Sequence, residues 1–182
     1  MSLKFRKKNM DELQRKSISE MQSAARFPVH IILENVRSMH NVGSVFRTAD
    51  AFTVDGISLC GYTPIPPHRD IHKTALGATE TVPWTYYNSS LEAIETLKQR
   101  GFHIIAVEQV HGSIPLQTFH NYPDLLPAAF ILGNEVSGVS EETLEYADAC
   151  IEIPQWGAKH SLNISVAAGV VLWEIMRFRK EA

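Results

Sequence analysis

Residues 29–49 read VHIILENVRSMHNVGSVFRTA, and a change of period inside this stretch sets the fold class. Val29 to Leu33 is a β-branched apolar run, the signature of a strand. From residue 42 the apolar positions Val42, Val45, Phe46 and Ala49 recur at helical spacing and predict a helix over 42–52. The same alternation continues downstream. Ile57–Cys60 and Val82–Tyr86 read as strands, separated by a Pro-rich loop from Tyr62 to Pro67 that is too stiff for either regular element. A helix is expected from Ser90, with Leu91, Ile94 and Leu97 inward, closing at Gly101 after Lys98 and Arg100. His103–Val107 and Ala128–Leu132 are compact apolar runs of the kind buried on both faces of a parallel sheet. A short helix over Glu141–Tyr146, a strand over Cys150–Ile153 and a long apolar helix from Ser161 to Arg177 complete the pattern. Strand alternating with helix predicts an α/β domain, a mostly parallel sheet flanked by helices.

At 182 residues, 45% hydrophobic and 20% charged, the chain suits one soluble domain. No apolar run is long enough to span a membrane and no apolar signal core follows the first residues. Cys60 and Cys150 fall in strand-like stretches and read as free thiols of a reducing compartment. A cytoplasmic protein without membrane partners is therefore expected. His68 and His72 are four apart, but no third ligand stands at suitable spacing, so no metal is expected. The net charge of −3 argues against a uniformly basic nucleic-acid binder, yet residues 1–26 hold seven Lys and Arg against three acids, +4, leaving the other 156 residues at −7. Residues 1–28 thus form a basic arm or helix ahead of a domain over 29–182. The arm is either a solubilising tail or a phosphate-contacting segment, and composition does not choose.

Three polar segments interrupt the apolar pattern. The first, Asn35 to Ala49, leaves a strand and enters a helix. Asn41 could cap that helix or face a ligand, Arg47 six residues on could share its side, and Gly43 would let a ligand approach the backbone. The second, Phe130 to Val139, ends a strand in a turn bracketed by Gly133 and Gly138, where ligands bind in open α/β sheets; Glu135 could otherwise simply be solvated. The third, Ile153 to Ser165, ends another strand and opens an apolar helix with Ser161 and Asn163. Ser161 would make a good N-cap, which leaves Asn163 unexplained. The final helix is apolar around most of its circumference and must bury more than one side, which points to a homodimer.

Together, and in this order, the segments resemble the SpoU–TrmH branch of the SPOUT RNA methyltransferases, from about residue 29 to 174. The first motif is matched by Asn41, Gly43, Arg47, Thr48 and Ala49, the second from Leu132 to Gly138, the third from Ile153 to Ala167. Lys73 to Ala78 and Ala106 to Gln109 also look like the family. The resemblance implies a C-terminal deep trefoil knot, which the general rarity of knots would argue against. It implies S-adenosylmethionine bound in the knot loops by Val107, Gly133, Ile153 and Leu162, two subunits pairing to complete the sites, and catalytic positions at Asn41, Arg47, Glu135, Ser161 and Asn163. The expected reaction is methyl transfer to an RNA ribose 2'-hydroxyl. A cation beside that hydroxyl favours the alkoxide; Arg47 would serve so, or as the proton acceptor itself, a demanding role for a group with pKa above 12.

Gln155 stands where the family usually has an apolar residue, and Trp156 and His160 are not family constants. Trp156 could stack on a base or cover the cofactor; His160 reads as a solvated loop histidine. A non-catalytic RNA-binding protein is the alternative that the Arg47, Glu135, Ser161 and Asn163 set opposes. A dinucleotide-binding domain would need a G-x-G-x-x-G turn where Asn41 to Phe46 stands. The short segment ahead of the first strand favours transfer RNA over ribosomal RNA as substrate.

Overall fold

The structure, a computed structural model, describes residues 5–9, 11–13, 16–159 and 161–178. Lys4 and Arg15 of the basic segment, and His160, lie outside the described residues. The elements are α1 (Ile18–Ser23), β1 (Phe27–Glu34), α2 (Met39–Phe52), β2 (Val54–Cys60), α3 (Arg69–Ala75), α4 (Ala78–Thr81), β3 (Trp84–Tyr87), α5 (Ser90–Gln99), β4 (His103–Val107), β5 (Ile114–Pro115), β6 (Ala128–Leu132), α6 (Glu141–Leu144), β7 (Ala149–Glu152) and α7 (Ile164–Ile175). Short 3-10 turns span Leu116–Asn121, Pro123–Leu125 and Met176–Phe178.

The seven strands form one sheet in the order β3-β2-β1-β6-β4-β7-β5, and every pairing is parallel. Parallel pairing requires crossovers, and the helices that make them cover both faces. Val29, Ile31 and Leu33 of β1 join Val42, Val45 and Phe46 of α2 and Val171 and Leu172 of α7 in one cluster. Ile32, one pleat over, joins Ala93, Ile94 and Leu97 of α5 in the other. The strand with the continuous apolar run, β6, lies between β1 and β4 with all five residues buried. Its polar exit therefore emerges at the centre of the C-terminal edge of the sheet, flanked by the ends of β1, β4 and β7. That is where an open α/β sheet binds ligands.

Several boundaries differ from expectation, each for a local reason. The strand expected over Val82–Tyr86 starts at Trp84, because the Val82 amide is taken by the Ala78 carbonyl at the end of α4. The helix from Glu141 stops at Leu144, where Tyr146 and Ala147 turn back three residues to the carbonyls of Thr143 and Leu144. The last helix is shorter than expected, opening at Ile164 rather than Ser161, and it is not buried all round. It buries Ile164, Ala168, Val171, Leu172 and Ile175 but exposes Val166, Val170 and Trp173. The helices α3 and α4 and the two-residue β5 carry no apolar period long enough to be read in advance.

Candidate active site

The ends of β4, β6 and β7 and the start of α7 enclose a cavity of about 620 Å³. Its wall includes Val107, Gly133, Ile153 and Leu162, the four positions expected to hold a cofactor, together with Glu135, Ser161 and Asn163. Gln155 also lines it, whereas Trp156 does not and is 91% exposed, so the indole does not cover this space.

A directed chain of hydrogen bonds crosses the mouth. Glu135 accepts from the backbone amides of Arg37 (3.0 Å) and Ser38 (3.2 Å) and from Nδ2 of Asn41 (3.0 Å). Partial burial pushes its carboxyl up, but the amides of Arg37, of Glu135 itself, of Asn41 and of Ser38 outweigh this and hold it below the ordinary carboxylate value. An ionised carboxylate only accepts, so Asn41 must turn its NH2 group to Glu135 and its oxygen outward. That oxygen accepts from Nδ2 of Asn163 (3.1 Å), whose own oxygen accepts from the amide (2.9 Å) and hydroxyl (2.7 Å) of Ser165. One charge thus orients two amides on two helices. Glu135 is bonded rather than merely solvated.

Two capping expectations are corrected by the same contacts. Ser38 caps α2 and Asn41 lies in its first turn, so the Asn41 side chain is free for Glu135 and Asn163. Asn163, not Ser161, caps α7, which accounts for an amide at the head of an apolar helix. Gly43 faces no ligand: a side chain there would run into Thr74 and the Ile71 carbonyl, and its absence lets α2 and α3 pack closely.

The turn after β6 is built as a platform. Asn134 and Gly138 exchange backbone hydrogen bonds of 2.9 Å in each direction. A side chain on Gly133 would overlap the Gly138–Val139 backbone, and Gly138 adopts a positive φ of 69°. The glycines therefore make a tight turn and also form the cavity wall. Three carboxylates hold this platform: Glu135 as described, Glu108 through the Val139 amide (3.0 Å), and buried Glu34 through the Ser140 amide (2.9 Å) and hydroxyl (2.9 Å). Asn134 adds bonds from Nδ2 to the Asn35 carbonyl (2.8 Å) and the Tyr62 hydroxyl (2.9 Å). Glu34, Glu108, Asn134 and Tyr62 escaped the sequence reading as site residues. Glu108 and Asn134 lie inside family-like stretches, but nothing local marks Glu34 as the residue that ties β1 to α6.

Ser161 is exposed in the cavity wall. Arg47 is not brought to the others: it stands on the exposed side of α2, outside the wall, with no side-chain hydrogen bond or ion pair among the described residues. Six residues along a helix place it about 120° round from Asn41, so the two do not share a side. Elsewhere, Nδ1 of His68 caps α3 by accepting from the Asp70 amide (3.2 Å). Among the described residues no three His, Cys, Asp or Glu side chains are grouped to hold a metal ion, and no helix is long and apolar enough to cross a membrane. Both cysteines are free.

The SpoU rRNA Methylase family model matches residues 28–173. A 23S rRNA (guanosine-2'-O-)-methyltransferase of Neisseria meningitidis is 33% identical over 160 residues, 87% of this chain and 62% of that protein. A tRNA (guanosine(18)-2'-O)-methyltransferase of Thermus thermophilus is 33% identical over 171 residues, 94% of this chain and 86% of that protein. Among solved structures, a TrmH/SpoU tRNA modifying enzyme of A. aeolicus aligns with a TM-score of 0.77 at 28% identity, covering 89% of this chain and 80% of that one. An AdoMet-bound rRNA methyltransferase of Sinorhizobium meliloti aligns at 0.78 and 27% identity, covering 88% and 61%. The chain spans only 41% to 64% of the length of four of the curated relatives. With the family model matched over most of its length and relatives of both kinds at one-third identity, the chain belongs to the SpoU rRNA methylase family.

Proposed function

We propose that this chain is an RNA methyltransferase that uses S-adenosylmethionine to methylate a ribose 2'-hydroxyl and works as a homodimer, with transfer RNA as the first substrate to test. The observation that carries the reading is the Glu135–Asn41–Asn163 chain at the mouth of a cavity lined by Val107, Gly133, Ile153 and Leu162. The wall pairs apolar side chains with the carboxylates of Glu108, Glu141 and Glu152, a combination suited to an apolar adenine and to a ligand carrying sulfonium and ammonium charges. When bound, S-adenosylmethionine would supply an electrophilic methyl group. Val107, Ile153 and Leu162 would hold it by apolar contact and Gly133 through its backbone.

The protein's remaining task is to place a ribose hydroxyl and ease the loss of its proton. Asn41 and Asn163 each use one Nδ2 proton within the chain, and among the described residues the second is uncommitted, available to ribose or phosphate oxygens. The Ser161 hydroxyl is available in the same way. Arg47 carries a positive charge with no acidic partner among the described residues, and such a charge near the hydroxyl favours its ionised form. This electrostatic role does not require the guanidinium to lose a proton.

The homodimer is supported by the exposed stripe of Leu162, Val166, Val170 and Trp173. Leu162 is also part of the cavity wall, so a second copy seated on the stripe would border the cofactor space. A C-terminal knot is supported by the strand order: β7 enters between β4 and β5, and α7 returns across the molecule to pack on α2. Residues ahead of β1 stay in our reading a basic arm, its inner part tethered where Arg26 donates to the carbonyls of Met21, Val54 and Thr81.

The test is methyl transfer from tritiated S-adenosylmethionine to unfractionated tRNA and, in parallel, to ribosomal RNA, followed by nucleoside analysis. Label in a 2'-O-methylated nucleoside is expected, and Arg47→Ala should abolish transfer while cofactor binding by calorimetry persists. Cofactor and RNA binding without transfer to either RNA would favour a non-catalytic RNA-binding protein and overturn the reading.

A further inference from the structure

The cations of the folded body divide into two groups. Some are neutralised: Lys98 pairs with Asp148, Arg100 with Asp55 and Arg177 with Glu174. Arg26 is consumed by three carbonyls. Among the described residues from β1 onward, those whose side chains have neither an ion pair nor a hydrogen bond are Arg37, Arg47, Arg69, Lys73 and Lys159. All five are exposed.

Three of them lie on segments packed against the elements that build the site, a shoulder made of the Arg37 loop and α3. Arg37 sits on the loop that Glu135 clamps. Arg69 and Lys73 lie on the exposed side of α3, with His72 between them, and α3 is locked to α2 by the close approach at Gly43 and by the Thr74 hydroxyl donating to the His40 carbonyl (3.1 Å). Between Arg37 and Arg69 the chain presents Tyr62. The residue is 62% exposed, yet it is fixed at two points: its hydroxyl accepts from Asn134, and its amide donates to Oδ1 of Asn35 (3.3 Å). A rigid exposed ring beside free cations is the combination that binds unpaired nucleotides, phosphates to the charges and a base to the π-face. The cavity, by contrast, is lined by Glu108, Glu135, Glu141 and Glu152 and repels a phosphate backbone.

We infer that the shoulder of Arg37, Arg69, Lys73 and Tyr62 binds an unpaired RNA segment flanking the target ribose, with phosphates on the cations and one base stacked on Tyr62. This rests on the RNA methyltransferase reading. The acidic cavity then admits only the target ribose while the strand lies across the shoulder. Because the three cations belong neither to the reaction nor to the cavity platform, binding and turnover are separable by experiment through them.

The full chain is titrated with unfractionated tRNA and with a short unpaired polyuridine oligoribonucleotide over a salt series. R69Q/K73Q should reduce the slope of log affinity against log salt by about 1.4, two single-strand phosphate contacts, and each single substitution by about half of that. Y62L should weaken binding of the oligoribonucleotide about tenfold without changing the slope. K98Q, on a paired cation elsewhere, should change neither; S-adenosylmethionine binding should persist in R69Q/K73Q and K98Q as the check on folding, and Y62F, which loses the same bond to Asn134 but keeps the ring, should retain its affinity for the oligoribonucleotide. An unchanged slope in R69Q/K73Q, with normal binding and transfer by the unsubstituted protein, overturns the shoulder assignment and leaves the methyltransferase reading intact. Absence of RNA binding by the unsubstituted protein overturns both. A lighter sedimenting species in R69Q/K73Q with the slope retained would assign the shoulder to a second copy of the chain, and overturns it as well.

Discussion

Each end of the parallel sheet carries a cluster of carboxylate and polar side chains, and the two are wired in opposite ways. At the C-terminal edge Glu135, among the described residues, binds amides only, so its charge orients Asn41 and Asn163 without neutralising a described cation. At the other edge Asp55 takes Nδ1 of His30 (2.8 Å) and both its oxygens accept from Arg100 (2.8 and 2.9 Å), while Nε2 of His30 meets the Ser58 hydroxyl (3.0 Å). The second cluster has the residue types and spacing of a nucleophile, base and orienting acid. Yet Ser58 is 1% exposed, and Arg100 and His30 are consumed in holding Asp55. Polar side chains that satisfy one another make structure; those that leave donors and charges uncommitted at a cavity make a site.

The largest effect separating the two ends is expected from Asn163→Ala. It removes both the grip on Asn41 and the cap of α7, and should lower the rate of methyl transfer by about a hundredfold or more, with about 1 kcal/mol lost from stability. Ser58→Ala at the other end should leave transfer unchanged; a comparable loss would erase the distinction. Asp55→Ala comes next. It strands buried His30 beside the Arg100 cation and should cost about 2 kcal/mol in denaturant unfolding, with normal activity per folded molecule.

A pH series sharpens the contrast further. Burial holds the His30 pKa below 6.5 and outweighs the pull of Asp55. Because the unfolded chain then takes up the proton first, His30's contribution to stability is whole above pH 6.5 and is lost as pH falls from there through its folded-state value. His30→Gln should flatten that part of a melting-temperature profile. Asp55 and Glu135 are held below the ordinary carboxylate value, so their stabilisation is lost only in the acid range beneath 3.8 and 4.5. The smallest effect concerns Cys60, whose thiol burial and the neighbouring Glu34 carboxylate push up to about 12. Under native conditions at neutral pH it should resist alkylation, and labelling at the rate of a free thiol would show that the β2 end opens.

The strands were legible where burial on both faces compressed them into continuous apolar runs: His103–Val107 and Ala128–Leu132 match to the residue. The short helix from Glu141 was legible too, though it ends two residues early; α3 and α4 were not, since packing on α2 and, for α3, the His68 cap hold them rather than a period of their own. The site was legible as residue types, not as wiring. All four expected cofactor positions line one cavity, and Asn41, Glu135 and Asn163 meet. The capping roles were misplaced because Ser38, Asn41, Ser161 and Asn163 are all competent caps, and only the backbone decides which is used. Arg47 stood apart because sequence spacing fixes its angle on α2 but says nothing of what lies opposite.

The bond between Asn41 and Asn163 joins residues 122 positions apart, and the one between Asn41 and Glu135 spans 94. Contacts of such long sequence separation form late, after the loop between them has been ordered. On the ribosome β1, β2, β3, β4 and β6 can pair while α7 is still in the exit tunnel, whereas β5 waits for β7 and the two amides cannot meet until residue 163 has emerged. The nascent chain can therefore order most of its sheet before the bond that joins α2 to α7 at the cavity.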